Sequence, residues 1–293
     1  MRPLVNASVE PKLRAGAAKL HYALARLAAE DATFSFHTDA ETGQTIMHGL
    51  SEAQLDGHID ILRRIYHVEA NFGRKQVAYL ETLGCRAEMK YTHKRQAGGS
   101  GQYAEIKIVF EPLERDAGIV FENKVVGGVM AQSFIPAIEK GIRLQAETGV
   151  LAGFPTVDFK FTLIDGRYHD MDSSALAFEI AAKACFRELR TLGSPKVLEP
   201  VMRLEVLAPR EYAGNIVNDL NNRRSQNLRT EARGDRVAVV ALVPLAKIFG
   251  YADALRTLSQ GRAQFTMQYD SYQEVPLPEP PDDLFPSGIA MRA

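Results

Sequence analysis

Apolar and polar positions along this chain follow two periods, and the switches between them predict an order of elements. Arg2–Val9 alternates loosely and reads as a strand. Pro11 suits the first turn of a helix, and Leu13, Ala17, Leu20, Leu24 and Leu27 then form one apolar stripe at three- and four-residue spacing. Phe34–His37 and Thr45–Gly49 read as strands around the polar segment Asp39–Gly43. Ser51 is a candidate cap for a second helix whose buried side is Leu55, Ile59, Leu62 and Ile65. Tyr66–Ala70 reads as a closing strand, ended by Asn71 and Gly73. The order is βαββαβ, the split arrangement of a ferredoxin-like sandwich.

A different pattern follows. Gln76–Lys94 is extended with a break at Gly84, and Gln102–Phe110 returns as a strand after Gly98-Gly99-Ser100-Gly101. Gly127-Gly128 ends another extended piece, and Ser133–Thr148 carries Phe134, Ile138, Ile142 and Leu144 on a helix. Val157, Phe159, Phe161 and Leu163 alternate as a half-buried strand, and Asp165-Gly166 reads as a tight turn after it. Asp172, Ser173 or Ser174 caps the next helix, on which Leu176, Phe178, Ile180, Ala181, Ala184 and Cys185 recur at helical spacing.

The third unit begins after Gly193-Ser194-Pro195. Val201–Leu207 reads as a strand, and Pro209 opens a helix with Tyr212, Ile216, Val217 and Leu220. Leu228–Ala232 and Val237–Val243 form a hairpin across Gly234-Asp235. Pro244 introduces a helix with Leu245, Ile248, Phe249, Ala252 and Leu255, and Ala263–Tyr269 is the last strand. This is βαββαβ again. The expected fold class is α+β: two ferredoxin-like βαββαβ sandwiches, residues 1–74 and 197–274, flanking a middle α/β domain, residues 75–196. Residues 275–293, rich in Pro and acid, are expected to be disordered.

Composition narrows the function classes. The 293 residues suffice for two or three domains, and 46% hydrophobic with 24% charged residues is an ordinary soluble composition. A formal net charge of -1 argues against a general nucleic-acid coat but leaves room for local basic tips. No apolar run approaches membrane-spanning length, so no membrane partner is expected, and without a disulfide framework the cytoplasm is the expected compartment. Two cysteines, Cys85 and Cys185, lie far apart and read as small core residues.

Most chemical motifs fail on context. Gly99-Ser100-Gly101-Gln102-Tyr103-Ala104 fits a dinucleotide fingerprint, but a strand follows it where that chemistry needs a helix N-terminus. No lysine follows a glycine, so the chain holds no P-loop. The seven histidines show neither HExxH spacing nor pairing with cysteine, and no metal site is expected. Asp165, Asp170 and Asp172 lack the glycine and glutamate register of a calcium loop. No catalytic residue emerges.

Two tips remain on the middle domain. One holds His93, Lys94 and Arg95 with Gly98, Gly99, Gly101, Gln102 and Tyr103; the other holds Arg167, Tyr168 and His169. Taken alone, each is an ordinary polar turn. As a contact surface, glycine admits a phosphate close to the backbone, Lys and Arg neutralise it, and Gln or His bonds a ribose or base edge.

Longer motifs then carry a resemblance. Gly98-Gly99-Ser100-Gly101-Gln102-Tyr103, Phe134-Ile135-Pro136-Ala137-Ile138-Glu139-Lys140-Gly141, Tyr168-His169-Asp170-Met171-Asp172-Ser173-Ser174, Leu198-Glu199-Pro200-Val201-Met202 and Ser259-Gln260-Gly261-Arg262-Ala263 together resemble elongation factor G, the ribosomal translocation GTPase. Val9-Glu10-Pro11 and Val68-Glu69-Ala70-Asn71 extend the likeness into the first domain. The chain resembles domains three, four and five of that five-domain family, without its GTPase domain and β-barrel.

The resemblance implies that GTP and Mg belong to the missing GTPase domain, and that this chain binds neither and is not itself an enzyme. It implies a monomer that meets the ribosome. The middle domain would reach the small-subunit decoding centre, tRNA and mRNA through Gln102 and His169. The outer domains would approach the sarcin–ricin loop and stalk base, and domain three would line the fusidic acid pocket. A paralogue for ribosome recycling or tetracycline protection, or a free-standing RNA-binding module, is the alternative. Ala104, Ser225 and the Gly49–Leu55 segment depart from the family's usual residues.

Overall fold

A computed structural model of the chain describes residues 2–38, 43–97, 100–126 and 130–276. Gly98, Gly99, Gly127, Gly128 and residues 277–293 lie outside the described residues. Of the tail 275–293 expected to be disordered, Val275 is instead buried, with its N–H donating to the Val197 carbonyl at 3.0 Å. The chain divides into two compact units, Met1–Ala78 with Glu199–Gln273, and Tyr79–Leu198 with Glu274–Ala293.

In the first unit, β1 (Val5–Pro11) leads to α1 (Ala17–Glu30), β2 (Ser35–Thr38), β3 (Thr45–Gly49), α2 (Glu52–Arg64), β4 (Ala70–Phe72) and β5 (Gln76–Val77). The sheet order β2-β3-β1-β4 is that of the expected ferredoxin-like sandwich, with β5 added beside β1. Leu20, Ala23, Leu24 and Leu27 of α1, and Leu55, Ile59 and Leu62 of α2, bury one face of each helix. Ser51 caps α2 by accepting a hydrogen bond from the Gln54 backbone N–H at 3.2 Å.

The helix stripes were expected to run further than they do. Pro11 stays in β1 opposite Ala70, and the Lys12 N–H donates to the Glu69 carbonyl at 2.9 Å, so pairing holds the chain extended there. A 3-10 turn at Arg14–Gly16 then precedes α1, which leaves Leu13 70% exposed. Ile65 sits past the last turn of α2 and is 67% exposed. The expected strand Tyr66–Ala70 is displaced to β4, because His67 takes a φ of 48° that a strand does not accept.

Two histidines meet on this sheet. His48 Nδ1 is 2.7 Å from Asn6 Oδ1, and its Nε2 is 2.7 Å from His37 Nδ1, with the two rings stacked. Burial, and then the neighbouring His37, lower the His48 pKa to about 4.

The second unit is built from β6 (Leu80–Thr82), β7 (Ala87–Ala97), β8 (Ser100–Pro112), β9 (Ile119–Asn123), α3 (Ile135–Glu147), β10 (Phe159–Arg167), α4 (Ala175–Arg187) and α5 (Leu189–Leu192). The sheet order is β7-β8-β10-β9, with only β9 parallel to its neighbour. Ile106, Ile108, Phe110, Phe159, Phe161 and Leu163 belong to one core with Ile138, Ile142, Phe178, Cys185 and Phe186 of the helices. Leu176 is 58% exposed because it lies in the first turn of α4, where Ala177 and Phe178 take the inward positions.

The turn expected at Asp165-Gly166 does not form: both residues stay in β10, opposite Lys107 and Ile106. Pairing jumps from Leu163 to Asp165, so Ile164 is the extra residue of a bulge that shifts the register without ending the strand. Gly166 answers to crowding rather than to a positive φ. A Cβ there would lie 2.9 Å from Met130 Sδ and 3.1 Å from the Glu105 carbonyl.

Glu81 of β6 is fully buried. Its Oε1 accepts backbone N–H bonds from Ala152 at 2.6 Å and Phe154 at 3.2 Å. Its Oε2 accepts from Val150 at 2.7 Å and Leu151 at 3.0 Å. The connection between α3 and β10 is thus wound around one carboxylate. Backbone bonds from Glu81 N–H to the Pro155 carbonyl and from Val157 N–H to the Glu81 carbonyl, each 2.8 Å, extend the attachment.

β11 (Lys196–Pro209) begins in this unit, where Lys196–Leu198 pairs with β6. From Val201 it pairs with β13 (Arg236–Pro244) in the first unit, together with α6 (Arg210–Asn222), β12 (Gln226–Arg233), α7 (Tyr251–Ser259) and β14 (Gln264–Glu274). The order β12-β13-β11-β14 repeats that of the first sheet. Pro209 stands directly before α6 and opens it as expected. Pro244 instead ends β13 opposite Val201, and α7 starts only after a 3-10 turn and Gly250, whose φ is 67°.

Two outcomes are expected. Glu81→Ala strands buried N–H donors and lowers the stability of the second unit by roughly 3 kcal/mol or more. Hydrogen exchange checks this, with the amides of Val150, Leu151, Ala152 and Phe154 losing protection before the rest of that unit. For His48, the folded state binds fewer protons than the unfolded state between its lowered pKa of about 4 and the ordinary 6.5. The first unit therefore loses stability as pH falls through that window. Urea titrations from pH 7 to pH 4 should show a flatter pH dependence for His48→Gln than for the unsubstituted chain.

Candidate nucleic-acid interface

The two tips named from the sequence meet at one end of the second unit. β7 and β8 form a long antiparallel hairpin with Arg95 opposite Gln102 and Ala97 opposite Ser100. Strand alternation puts His93 and Gln102 on one face as diagonal neighbours. The His93 ring nitrogen Nε2 lies 3.0 Å from Gln102 Oε1, so the imidazole N–H orients the amide. Lys94 and Arg95 are exposed near the hairpin end, while Gln102 and Tyr103 are half-buried. Gly98 and Gly99 lie outside the described residues.

Arg167 ends β10, and Tyr168, His169, Asp170 and Met171 turn the chain towards α4. Arg167 is mostly exposed, with Nε 3.5 Å from Glu105 Oε1, which also takes Lys90 Nζ at 3.0 Å. The Tyr168 ring packs 6.0 Å from the Phe134 ring, and the His169 ring meets Tyr103 edge-on at 6.4 Å. His169 therefore stands over the residue next to Gln102 although 66 positions separate Tyr103 from His169 in the chain.

What joins the tips was missed in the sequence. Of the three candidate caps Asp172, Ser173 and Ser174, only Ser174 caps α4, accepting from the Ala177 N–H at 3.2 Å. Its two neighbours bind the hairpin instead. Ser173 Oγ accepts from the His169 N–H at 2.8 Å and donates to the Tyr103 carbonyl at 2.7 Å. The Asp172 carbonyl accepts from the Tyr103 N–H at 2.8 Å, and its carboxylate accepts from the Gly101 N–H at 3.2 Å.

A Cβ at Gly101 would lie 2.6 Å from the Asp172 carboxylate, so a larger residue there displaces that side chain from the Gly101 N–H. A run of short polar side chains before a helix, longer than one cap requires, was the available signal. Only the fold says where the surplus goes.

The assembled surface carries cations at Lys94, Arg95 and Arg167, an imidazole, an amide and an aromatic edge, with carboxylates at Glu105, Asp170 and Asp172. It offers donors, acceptors and ring faces to a polar polymer. His169 Nδ1 lies 3.8 Å from Asp172 Oδ2. No group of three or more described His, Cys, Asp or Glu residues is placed to hold a metal ion. No helix among the described residues is long and apolar enough to cross a membrane.

Comparison with known proteins agrees over most of the chain. The family profile described as Elongation Factor G, domain III matches residues 2–74. Elongation factor G, domain IV matches residues 75–192, and the Elongation factor G C-terminus matches residues 196–282. Elongation factor G of Granulibacter bethesdensis is 57% identical over 274 residues, covering 94% of this chain and 40% of the relative. That of Hyphomonas neptunium is 51% identical over 278 residues, covering 95% of this chain and 39% of the relative.

A crystal structure of a Thermus thermophilus protein superposes with a TM-score of 0.69 at 38% identity, covering 94% of this chain and 41% of the other. The chain thus spans about two-fifths of the length of the curated relatives it matches. With three successive profiles of one family and this level of identity, the chain belongs to the elongation factor G family and corresponds to its domains III, IV and C-terminus.

Proposed function

We propose that this chain is the ribosome-engaging part of a translation elongation factor that promotes GTP-dependent translocation of tRNA and mRNA. The observation that carries the reading is the joining of the hairpin end to the His169 turn through Asp172 and Ser173. It presents Gln102, Tyr103 and His169 as one surface rather than as separate turns. Such a surface suits insertion beside a paired RNA backbone, where a ribose hydroxyl or base edge replaces water on the amide and imidazole. Lys94, Arg95 and Arg167 supply phosphate attraction, with His93 holding the Gln102 amide.

The division proposed for this work is residues 1–74, 75–196 and 197–274. The middle domain meets the decoding centre, tRNA and mRNA, and the outer domains meet the sarcin–ricin region and stalk base. In this reading GTP and Mg bind another domain of the family, so this chain is a binding part without hydrolytic activity. It acts as a monomer in the cytoplasm, where translation takes place.

The direct test measures binding of this chain to ribosomes and to a fluorescent GTP analogue across a salt series. Ribosome binding that weakens with salt, without saturable nucleotide binding, is the expected result. Saturable GTP binding would contradict the reading. In a full-length factor, Gln102→Ala, His169→Ala and Ser173→Ala should each slow translocation by roughly tenfold or more while ribosome-stimulated GTP hydrolysis holds within about twofold. Rapid kinetics of both steps checks this, and equal loss of the two activities would remove the tip assignment.

A further inference from the structure

The turn after β10 displays an apolar side chain beside the polar groups of the contact surface. Met171 is 88% exposed. Met47, Met89, Met130 and Met202 are 0%, 3%, 3% and 4% exposed, and Met267 is partly covered by its strand neighbours. Among the described methionines the thioether of Met171 alone is open to solvent on nearly every side.

The display comes from a closed turn. The Asp172 and Ser173 N–H groups both donate to the His169 carbonyl, at 3.2 Å and 3.0 Å, and Ser173 Oγ fastens the turn to the hairpin. Exposure of an unbranched apolar chain here is therefore set by hydrogen-bonded backbone. Its neighbours in sequence, Asp170 and Asp172, are carboxylates, which repel a phosphate. What the turn offers at Met171 is a soft apolar surface suited to the face of a base or sugar.

We propose that Met171 is an oxidation site through which a two-electron oxygen donor such as hydrogen peroxide weakens this end of the protein for RNA. The sulfur lone pair attacks one peroxide oxygen, so an S–O bond forms as the O–O bond breaks. Sulfur loses two electrons, the peroxide gains them, and the departing hydroxide takes the remaining peroxide proton and leaves as water. The methionine sulfoxide that results is polar and a strong acceptor. It stands between two carboxylates and replaces the apolar contact by a group that competes for the same donors. A methionine sulfoxide reductase reverses the change, which makes it a switch rather than damage. The loss of RNA contact rests on the tip reading above, whereas the selectivity of oxidation rests on exposure alone.

The experiment treats the folded chain with graded hydrogen peroxide and maps sulfoxide by peptide mass spectrometry. Met171 should oxidise at least about tenfold faster than Met47, Met89, Met130 or Met202, with the melting curve unchanged. Oxidation of the buried methionines in step with Met171, or a Met171 that stays reduced, overturns the site.

The second arm compares ribosome binding before and after treatment. The oxidised chain should bind several-fold more weakly and recover after reductase, and treated Met171→Leu should bind as it did untreated. Unchanged binding at full Met171 oxidation overturns the switch. An untreated chain that never binds ribosomes overturns the tip reading and the switch with it, while the mapping result stands.

Discussion

A carboxylate buried without water around it must be met by donors, and Glu81 is met almost wholly by backbone. Four N–H groups from Val150 to Phe154 converge on its two oxygens. A segment with no regular hydrogen-bonding ladder of its own thus finds acceptors in a single side chain. Neither partner is tolerable in the interior without the other: the free carboxylate would be uncompensated, and the free N–H groups would be unpaired. The connection from α3 into β10 takes its course from this requirement. β10 in turn supplies Phe159, Phe161 and Leu163 to the core and carries the chain out to the His169 turn.

The far end of the same unit uses the same device in smaller form. Backbone groups of Gly101 and Tyr103 are met by Asp172 and Ser173, and the side chains left over face outward. Hydrogen bonds between segments about seventy residues apart set the position of the turn, and the bulge at Ile164 shifts the register of the strand that leads to it. Affinity for an RNA would then be spent less on ordering loops, since the donors are arranged beforehand.

Much of this was legible in the sequence where one period dominates. Both βαββαβ orders follow from alternation and helical stripes, and the sheets repeat the same neighbour order. The misreadings fall at element ends. Leu13, Ile65 and Leu176 continue a stripe in sequence but lie at or beyond the turns that keep it facing inward. Asp165-Gly166 has turn chemistry, yet pairing on both sides keeps it in a bulged strand. At the site, the exposed cations, His169 and Gln102 were visible as polar interruptions. Glu81, Asp172 and Ser173 were not, because their partners are backbone groups 70 or so positions away and backbone leaves no residue-specific mark.

The fit between Gly101 and Asp172 makes these two positions a single inherited choice. A side chain at 101 would push the carboxylate at 172 away from its place beside the Gly101 N–H. Shortening the second first leaves the Gly101 N–H without its acceptor. Either order of mutation passes through a worse intermediate, and the pair is expected to drift together or not at all. Within the family, a residue larger than glycine at 101 should therefore travel with a small residue at 172, a signature that one chain conceals and a set of related chains would expose.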